Sequence, residues 1–347
     1  MSLKMKCLQL VKTGEILKED NLLELREVEV PEIEENEILI KIKASGICHT
    51  ELDEIEGRLK PPKLPIILGH QISGIAYKIG NNVKNIKEGD RCAVGWIGSA
   101  CGECDFCKRG LENLCKNFQS TGKEINGGYA EFIKINSQFA HRFENGFEDR
   151  FVAPLLCAGA VGYRSLKLAS IKDGENLGFV GFGASAHIVL KLAKKIYPQS
   201  KIFVFARGEG ERQFAKELGA DFAYPIEGEP QEKIKAIIDT TPVWKPILCA
   251  LTHLEPSGRI VINAIRKEDF DKNELLNLDY AEHLWLEKEV KSVANVTRKD
   301  IREFLELAFK FDIKPEVETF SLEETTRALK EIKEKKIRGA KVITFEN

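Results

Sequence analysis

The chain lacks any hydrophobic run long enough to enter a membrane. A spanning helix needs roughly 18 or more consecutive apolar residues. The two most apolar stretches, residues 151–163 and 177–190, are broken by Pro154 and by glycines and His187. The opening string MSLKMKCLQLVKTGE has no unbroken apolar core of the kind a secretory signal carries. No membrane partner is expected, and the expected compartment is the cytoplasm. A surplus of either charge is missing too, since 52 Lys and Arg stand against 54 Asp and Glu for a formal net charge of −2. Nucleic-acid binding usually leaves a basic footprint, so no nucleic-acid partner is expected. Repeats and low-complexity linkers are absent. What remains is a chain of 347 residues, 43% hydrophobic, long enough for two domains that each bury a core.

Cysteine is plentiful by contrast. Nine cysteines without a secretion signal favour free thiols and metal ligands over disulfides. Four of them, Cys101, Cys104, Cys107 and Cys115, fall in the string CGECDFCKRGLENLC. Three share two-residue gaps, and short Cys-x-x-Cys turns gather sulfurs around one ion at little cost in loop entropy. Structural zinc fits this spacing. An iron–sulfur cluster is the rival, but those motifs continue with a three-residue gap and a proline after the fourth cysteine. Here the gap is seven residues and Lys116 follows.

A second constellation is scattered: Cys48, His70 and Cys157. Two thiolates and an imidazole would leave the fourth position of a tetrahedral zinc open, as catalytic centres require. The competing reading is three ordinary buried side chains, because nothing local constrains their spacing. Their neighbours favour ligands: His49 and Thr50 follow Cys48, His70 lies in Gly-His-Gln-Ile-Ser-Gly, and small residues surround Cys157.

Along the chain, the first 150 residues read as short strands and turns, with strands expected at 38–44, 72–79 and 91–97. From residue 177 strand and helix alternate: a strand at 177–180, a helix through 188–193, a strand at 202–205, a helix at 211–218 and a strand at 260–264. That alternation predicts a doubly wound parallel sheet. A long amphipathic helix from Arg298, a strand at 317–320, a further helix and a strand at 341–345 close the chain. Between the first strand and helix of the alternating region stands Gly181-Phe182-Gly183-Ala184-Ser185-Ala186. In that context a GxGxxA string brings a pyrophosphate to a helix N-terminus, although a plain tight turn gives the same letters. His141, His187, His253 and His283 read as surface or satisfied core histidines, and Cys7, Cys92 and Cys249 as packing. The run 331–336 reads as a solvated helix face.

Taken together, the CHT string at 48–50, GHQISG at 69–74, the four-cysteine lobe, Cys157 and GFGASA resemble the zinc-dependent medium-chain alcohol dehydrogenases over the whole chain. Residues 278–298 and the closing RGAKVI are similar to a bacterial branch related to cinnamyl-alcohol dehydrogenases. The resemblance implies an α/β fold, with a Rossmann doubly wound parallel sheet (residues 155–294) inserted in a GroES-like, mostly-β catalytic domain (1–154 and 295–347). It implies two zinc ions, a catalytic one on Cys48, His70 and Cys157 and a structural one on the other four cysteines. Thr50 then matches the hydroxyl that bonds the substrate oxygen, His49 a position near the cofactor pyrophosphate, Glu51 a carboxylate that orients the zinc-bound His, and Trp96 a pocket aromatic. The implied reaction is reversible hydride transfer between a small alcohol and NAD(P), in a homodimer or homotetramer. The alternative is a non-catalytic NAD(P)-sensing zinc protein.

Three positions depart from the family pattern. Gln71 stands for a Glu beside the zinc His, Ala340 for a pyrophosphate-binding Arg with Arg338 nearby, and Ala206 for the acid that ends the second strand in NAD-binding members. Since that acid repels a 2′-phosphate and Arg207 follows at once, NADP(H) is expected over NAD(H). Gly181, Phe182, Gly183, Ala184, Arg207 and Arg212 form the expected cofactor set.

Overall fold

A computed structural model describes residues 3–144, 146–334 and 338–345. The chain divides into two compact units, one drawn from residues 1–157, 296–309 and 314–347, the other from 158–295 and 310–313.

In the first unit a small sheet of Lys4–Leu10, Leu23–Glu29 and Ile66–Ile67 stands beside a seven-stranded one. At the centre of the larger sheet is β1 (Glu37–Ile47), in which Ile38, Ile40, Ile42 and Ala44 share a face by the two-residue period and are all buried. It leads through Cys48 into α1 (His49–Ile55). Antiparallel to β1 runs β2 (Ile72–Ile79), and antiparallel to β2 runs β3 (Arg91–Val94). The single strand expected across 91–97 is therefore broken. After β3 the chain turns away and resumes at Ile97–Ser99, paired with Gln119–Ser120. The break falls at Gly95, where a Cβ would lie 2.7 Å from Ile301 Cδ1 and 3.0 Å from Leu156 O, so a side chain would crowd both. Trp96 follows directly.

The second unit is a six-stranded sheet with every pair parallel. Its strands are β4 (Leu177–Val180), β5 (Ile202–Phe205), β6 (Phe222–Tyr224), β7 (Ile234–Asp239), β8 (Leu254–Ile262) and β9 (Glu289–Ser292), in the order β6-β5-β4-β7-β8-β9. The unbroken apolar strings LGFV and IFVF are buried at every position, as strands covered on both faces must be. Helices α2 (Ala184–Ile196) and α3 (Glu209–Glu217) follow β4 and β5. The strand expected at 260–264 begins earlier, at Leu254. Its first half carries the exposed or half-exposed Glu255, Pro256 and Ser257, which hid it from the apolar pattern.

The chain then returns to the first unit. In α4 (Arg298–Lys310) the buried residues Ile301, Phe304, Leu305 and Ala308 follow helical spacing. Strand β10 (Val317–Phe320), helix α5 (Thr325–Lys333) and strand β11 (Ala340–Thr344) follow. Strand β11 lies parallel to β10 and antiparallel to β1, with Lys341 opposite Ile47. Lys341 is buried and paired with Glu318 and Glu331, each at 2.5 Å. Glu331 thus does more than face solvent, while Lys335 and Lys336 of the same run lie outside the described residues. Among the described residues no helix is long and apolar enough to cross a membrane.

The four histidines set aside as surface or core are all buried. His141, on the strand Ala140–Arg142 paired with β3, is pushed down to about 3 by burial, then by the Arg302 and Arg298 guanidiniums. A lowered histidine pKa stabilises the fold above the unfolded value of about 6.5, and that stability is lost as pH falls toward 3. The shift corresponds to on the order of 5 kcal/mol at its full extent. Urea midpoints measured between pH 7 and 4 should therefore fall less steeply in His141→Gln than in wild type. Equal slopes would remove His141 as a source of acid sensitivity.

Candidate functional site

Strand β1 ends one residue before Cys48, which caps α1 with extended backbone angles (φ −134°, ψ 169°). The cap is reciprocal. Thr50 N–H donates to Cys48 Sγ at 3.4 Å, and Glu51 Oε2 accepts from Cys48 N–H at 2.8 Å. The other oxygen of Glu51 lies 2.6 Å from His70 Nδ1. One fully buried carboxylate therefore fixes both the cysteine loop and the imidazole. His70 is reached through Gly69 at φ +96°, where a Cβ would sit 2.6 Å from the Tyr129 ring, so only glycine fits. Trp96 meets the His70 ring edge-on at 4.9 Å. Cys157 is delivered by the short 3-10 helix Ala153–Leu156, whose Ala153 packs with Ala44 of β1 and Val342 of β11.

These elements bring ligand atoms of Cys48, His70 and Cys157 within 4.8 Å of one another. Thr50 Oγ1 lies 3.4 Å from Cys48 Sγ, and Thr50 is buried, while His49 is exposed. Hydrogen bonding with Cys157 and then with His70 holds the Cys48 thiol well below its ordinary pKa despite burial. Cys157 is driven up, first by that same bond and then by burial. Burial opposes charge on His70, but Glu51 and Cys48 outweigh it and raise its pKa well above the usual value. The two sulfurs and the imidazole therefore compete for the same protons. Both ring nitrogens of His70 are buried, Nδ1 beside Glu51. Two sulfurs and an imidazole gathered this closely form a soft donor set that fits a zinc ion. Gln71 is also buried, with its amide against Gly46, next to the cysteine loop.

Sequence reasoning passed over two groups behind His70. Glu54 lies one helical turn from Glu51 on α1, fully buried, with neither oxygen hydrogen-bonded, and burial followed by the charge of Glu51 drives its pKa well up. The Tyr129 hydroxyl is buried in the same way. The Glu-x-x-Glu spacing of 51 and 54 on a helix was the available signal.

The four lobe cysteines also converge, their sulfurs within 4.8 Å of one another. Cys101 Sγ lies 3.8 Å from Cys107 Sγ and 3.5 Å from Cys115 Sγ. Backbone N–H groups of Cys104 and Glu103 aim at the Cys101 sulfur and bring its thiol down to about 6. Four sulfurs held this way fit a closed tetrahedral site. The lobe is tied down by buried Glu112, whose Oε1 accepts from Arg298 N (2.9 Å) and Nε (3.0 Å) at the start of α4.

In the second unit the glycine-rich turn joins β4 to α2. Gly181 has φ +79°, and its Cβ would lie 2.8 Å from Thr240 Oγ1 and 2.9 Å from Thr241 Cγ2. At Gly183, the N-cap of the thirteen-residue α2, a Cβ would meet nothing within 4 Å, so the helix end faces open space. Phe182 is buried edge-on against Phe214, and Ala184 opens the helix. These features suit an anion at the helix N-terminus. Ala206 is buried after β5, and Arg207 is exposed. Arg212 sends Nη1 to the carbonyl oxygens of Ala206 (2.9 Å) and Arg207 (2.7 Å), so it braces the turn that presents Arg207. Ala340 is the buried first residue of β11, and Arg338 is exposed.

Residues 34–145 match the alcohol dehydrogenase GroES-like domain family. The probable alcohol dehydrogenase AdhA of Mycobacterium tuberculosis is 35% identical over 319 residues, 90% of each chain. An alcohol dehydrogenase of Geobacillus stearothermophilus is 34% identical over 335 residues, 93% of this chain and 96% of its own. Among solved structures, a Helicobacter pylori protein described as CAD complexed with NADP(H) superposes with TM-score 0.86 at 24% identity over 99% of both chains. The alcohol dehydrogenase of Aeropyrum pernix gives 0.84 at 22% identity over 98% of this chain and all of its own.

Proposed function

Because the chain belongs to the zinc-dependent medium-chain alcohol dehydrogenase family, we propose that it interconverts a small alcohol and its carbonyl product with NADP(H), binding two zinc ions. The observation that carries this reading is the Cys48–His70–Cys157 set, with Glu51 on the far side of the imidazole and Thr50 beside the thiol. Cys48, His70 and Cys157 would hold the catalytic zinc, and Cys101, Cys104, Cys107 and Cys115 the structural one. The split first unit is then the catalytic domain and the contiguous second unit the dinucleotide domain.

When bound, zinc would supply a Lewis acid for the substrate oxygen, and the nicotinamide a partner for hydride exchange at carbon. The chain's own residues do the rest. Glu51 holds His70 Nδ1–H and so turns Nε2 toward the thiols, fixing tautomer and ring plane. Thr50 Oγ1, buried beside Cys48, can accept the alcohol proton and pass its own outward. Trp96 closes one side of His70 and keeps water from it. In the other unit, the free N–H groups at the start of α2 suit the pyrophosphate. All nine cysteines are unpaired thiols, which suits a reducing compartment such as the cytoplasm. A homodimer or homotetramer is supported by β9, an edge strand exposed at every residue, beside exposed Leu276, Tyr280 and Trp285.

The test is oxidation of NAD(P)H with a panel of aldehydes by the zinc-loaded protein. No turnover would favour the sensing alternative. The cofactor preference rests on Arg207, an exposed guanidinium directly after the position where an acid would repel a 2′-phosphate. One charge-assisted bond contributes roughly 1.5–3 kcal/mol, enough for a preference of about tenfold or more in kcat/KM for NADP(H). Arg207→Ala should lose that factor with NADP(H) and little with NAD(H). A wild-type preference for NAD(H), or an equal loss with both, would refute the assignment.

A further inference from the structure

The order of strand addition reverses between β4 and β7: β5 and β6 lie to one side, β8 and β9 to the other. Dinucleotides bind across the crevice at such a reversal, one nucleotide on each half of the sheet. With Arg207 after β5 assigned to the adenosine side, the nicotinamide nucleotide falls on the β7–β9 half. The loops leaving β7 and β8 form the lip of that half.

Both loops are anchored to the glycine-rich turn. Thr240 sends N–H and Oγ1–H to Val180 O, at 2.9 and 3.0 Å, and Thr240 and Thr241 pack where a side chain on Gly181 would lie. From the other loop, Asn263 N–H donates to Asp239 O at 2.8 Å, and Asn263 Nδ2 lies 3.2 Å from Ser185 Oγ on the first turn of α2. What joins the loops to each other is Lys267. Its side chain is only 7% exposed, and the ammonium donates to Asp239 Oδ2, to Thr241 O at 2.8 Å and to Val243 O at 2.9 Å. Asp239, fully buried, uses its other oxygen to accept Thr241 N–H at 3.1 Å and Thr241 Oγ1–H at 2.7 Å.

We propose that Lys267 is a positioning residue for the nicotinamide half of the cofactor site, pinning residues 240–244 to residues 263–267. The inference rests on the dinucleotide reading of the second unit and adds a division of labour to it. An ammonium has three N–H donors, and all three are spent on protein. A lysine at the ligand edge of such a sheet would ordinarily be taken for a phosphate clamp, but this one has no donor left for an anion. Its charge instead answers a buried carboxylate, and its two remaining donors satisfy carbonyls that a turn at the strand end leaves open. A lip fixed in advance places the nicotinamide ring without ordering loops at the moment of binding.

The test compares wild type with Lys267→Met and with the double variant Asp239→Asn/Lys267→Met, which removes both charges and carries the test if the single variant fails to fold. Calorimetry with the full zinc-loaded chain measures affinity for ADP, which occupies the adenosine half alone, and for the preferred dinucleotide. ADP affinity is expected to stay within about twofold, while dinucleotide affinity falls about tenfold or more and kcat falls with it. Equal losses for ADP and dinucleotide would show that the domain is merely loosened and would overturn the proposal, as would no loss for either. A wild-type protein that binds neither ADP nor a dinucleotide would instead overturn the reading of the second unit.

Discussion

Cys48→Ser is expected to give a folded chain that oxidises alcohol at least about a thousandfold more slowly than wild type. The size follows from what a Lewis acid contributes, several kcal/mol of charge stabilisation, at about 1.4 kcal/mol per factor of ten. Serine keeps the shape of the cap, and its hydroxyl can still accept Thr50 N–H. Its oxygen does not ionise near neutral pH as the Cys48 sulfur is poised to do, so the donor set loses an anion. The measurements are kcat, zinc per chain and thermal unfolding. Zinc should fall from about two ions to about one by the arithmetic of one open and one closed site, with little change in Tm. A variant that keeps its rate within about tenfold would deny Cys48 its role.

The opposite pattern is expected for Cys104→Ser. Here the sulfur belongs to a closed set, and binding energy in such a set is folding energy. The lobe between Cys101 and Cys115 has only a four-residue helix and a three-residue 3-10 turn, and the helix buries no residue of its own. Without a metal its chief tie is Glu112 to Arg298, at the head of α4. Losing at least about 3 kcal/mol would lower Tm by roughly 4 °C for a protein of this size. Activity per remaining folded molecule should fall far less than in Cys48→Ser. Unchanged melting in the zinc-loaded variant, or a loss of rate as deep as that of Cys48→Ser, would erase the distinction between the two centres.

Much of this was legible because both centres are written in residue types with few other uses. The clustered cysteines announce themselves by spacing, and the turn at Gly181 by its place between an apolar strand and a helix. The parallel strands β4 and β5 were legible as unbroken apolar strings because both faces are covered. Other features depend on contacts far apart in sequence. Nothing local in residues 91–97 says that Ile301 and Leu156 will crowd Gly95 and end a strand there. The start of β8 was hidden because Glu255, Pro256 and Ser257 do not read as a strand. Asp239 and Lys267 are 28 positions apart, and only the parallel sheet brings the two loop ends together. Glu54 escaped notice because a Glu on a helix usually faces water, whereas α1 is buried at every residue after His49.

The pairing of β1 with β11 constrains the order in which this protein can be made. Strand β1 ends at Ile47, beside the first proposed zinc ligand, and its partner Lys341 is almost three hundred residues later in synthesis. The second unit needs almost none of that wait, because its six parallel strands all lie between residues 177 and 292. Domains fold as units while the chain emerges from the ribosome, and pairings distant in sequence are slow. A nascent chain that has reached residue 339 therefore carries all seven proposed metal ligands and a complete parallel sheet, yet residues 44–47 at the end of β1 still lack their partner on one edge. During that interval the cell holds a chain with metal-binding thiols and one strand end not yet paired, the state most open to wrong metals and to aggregation.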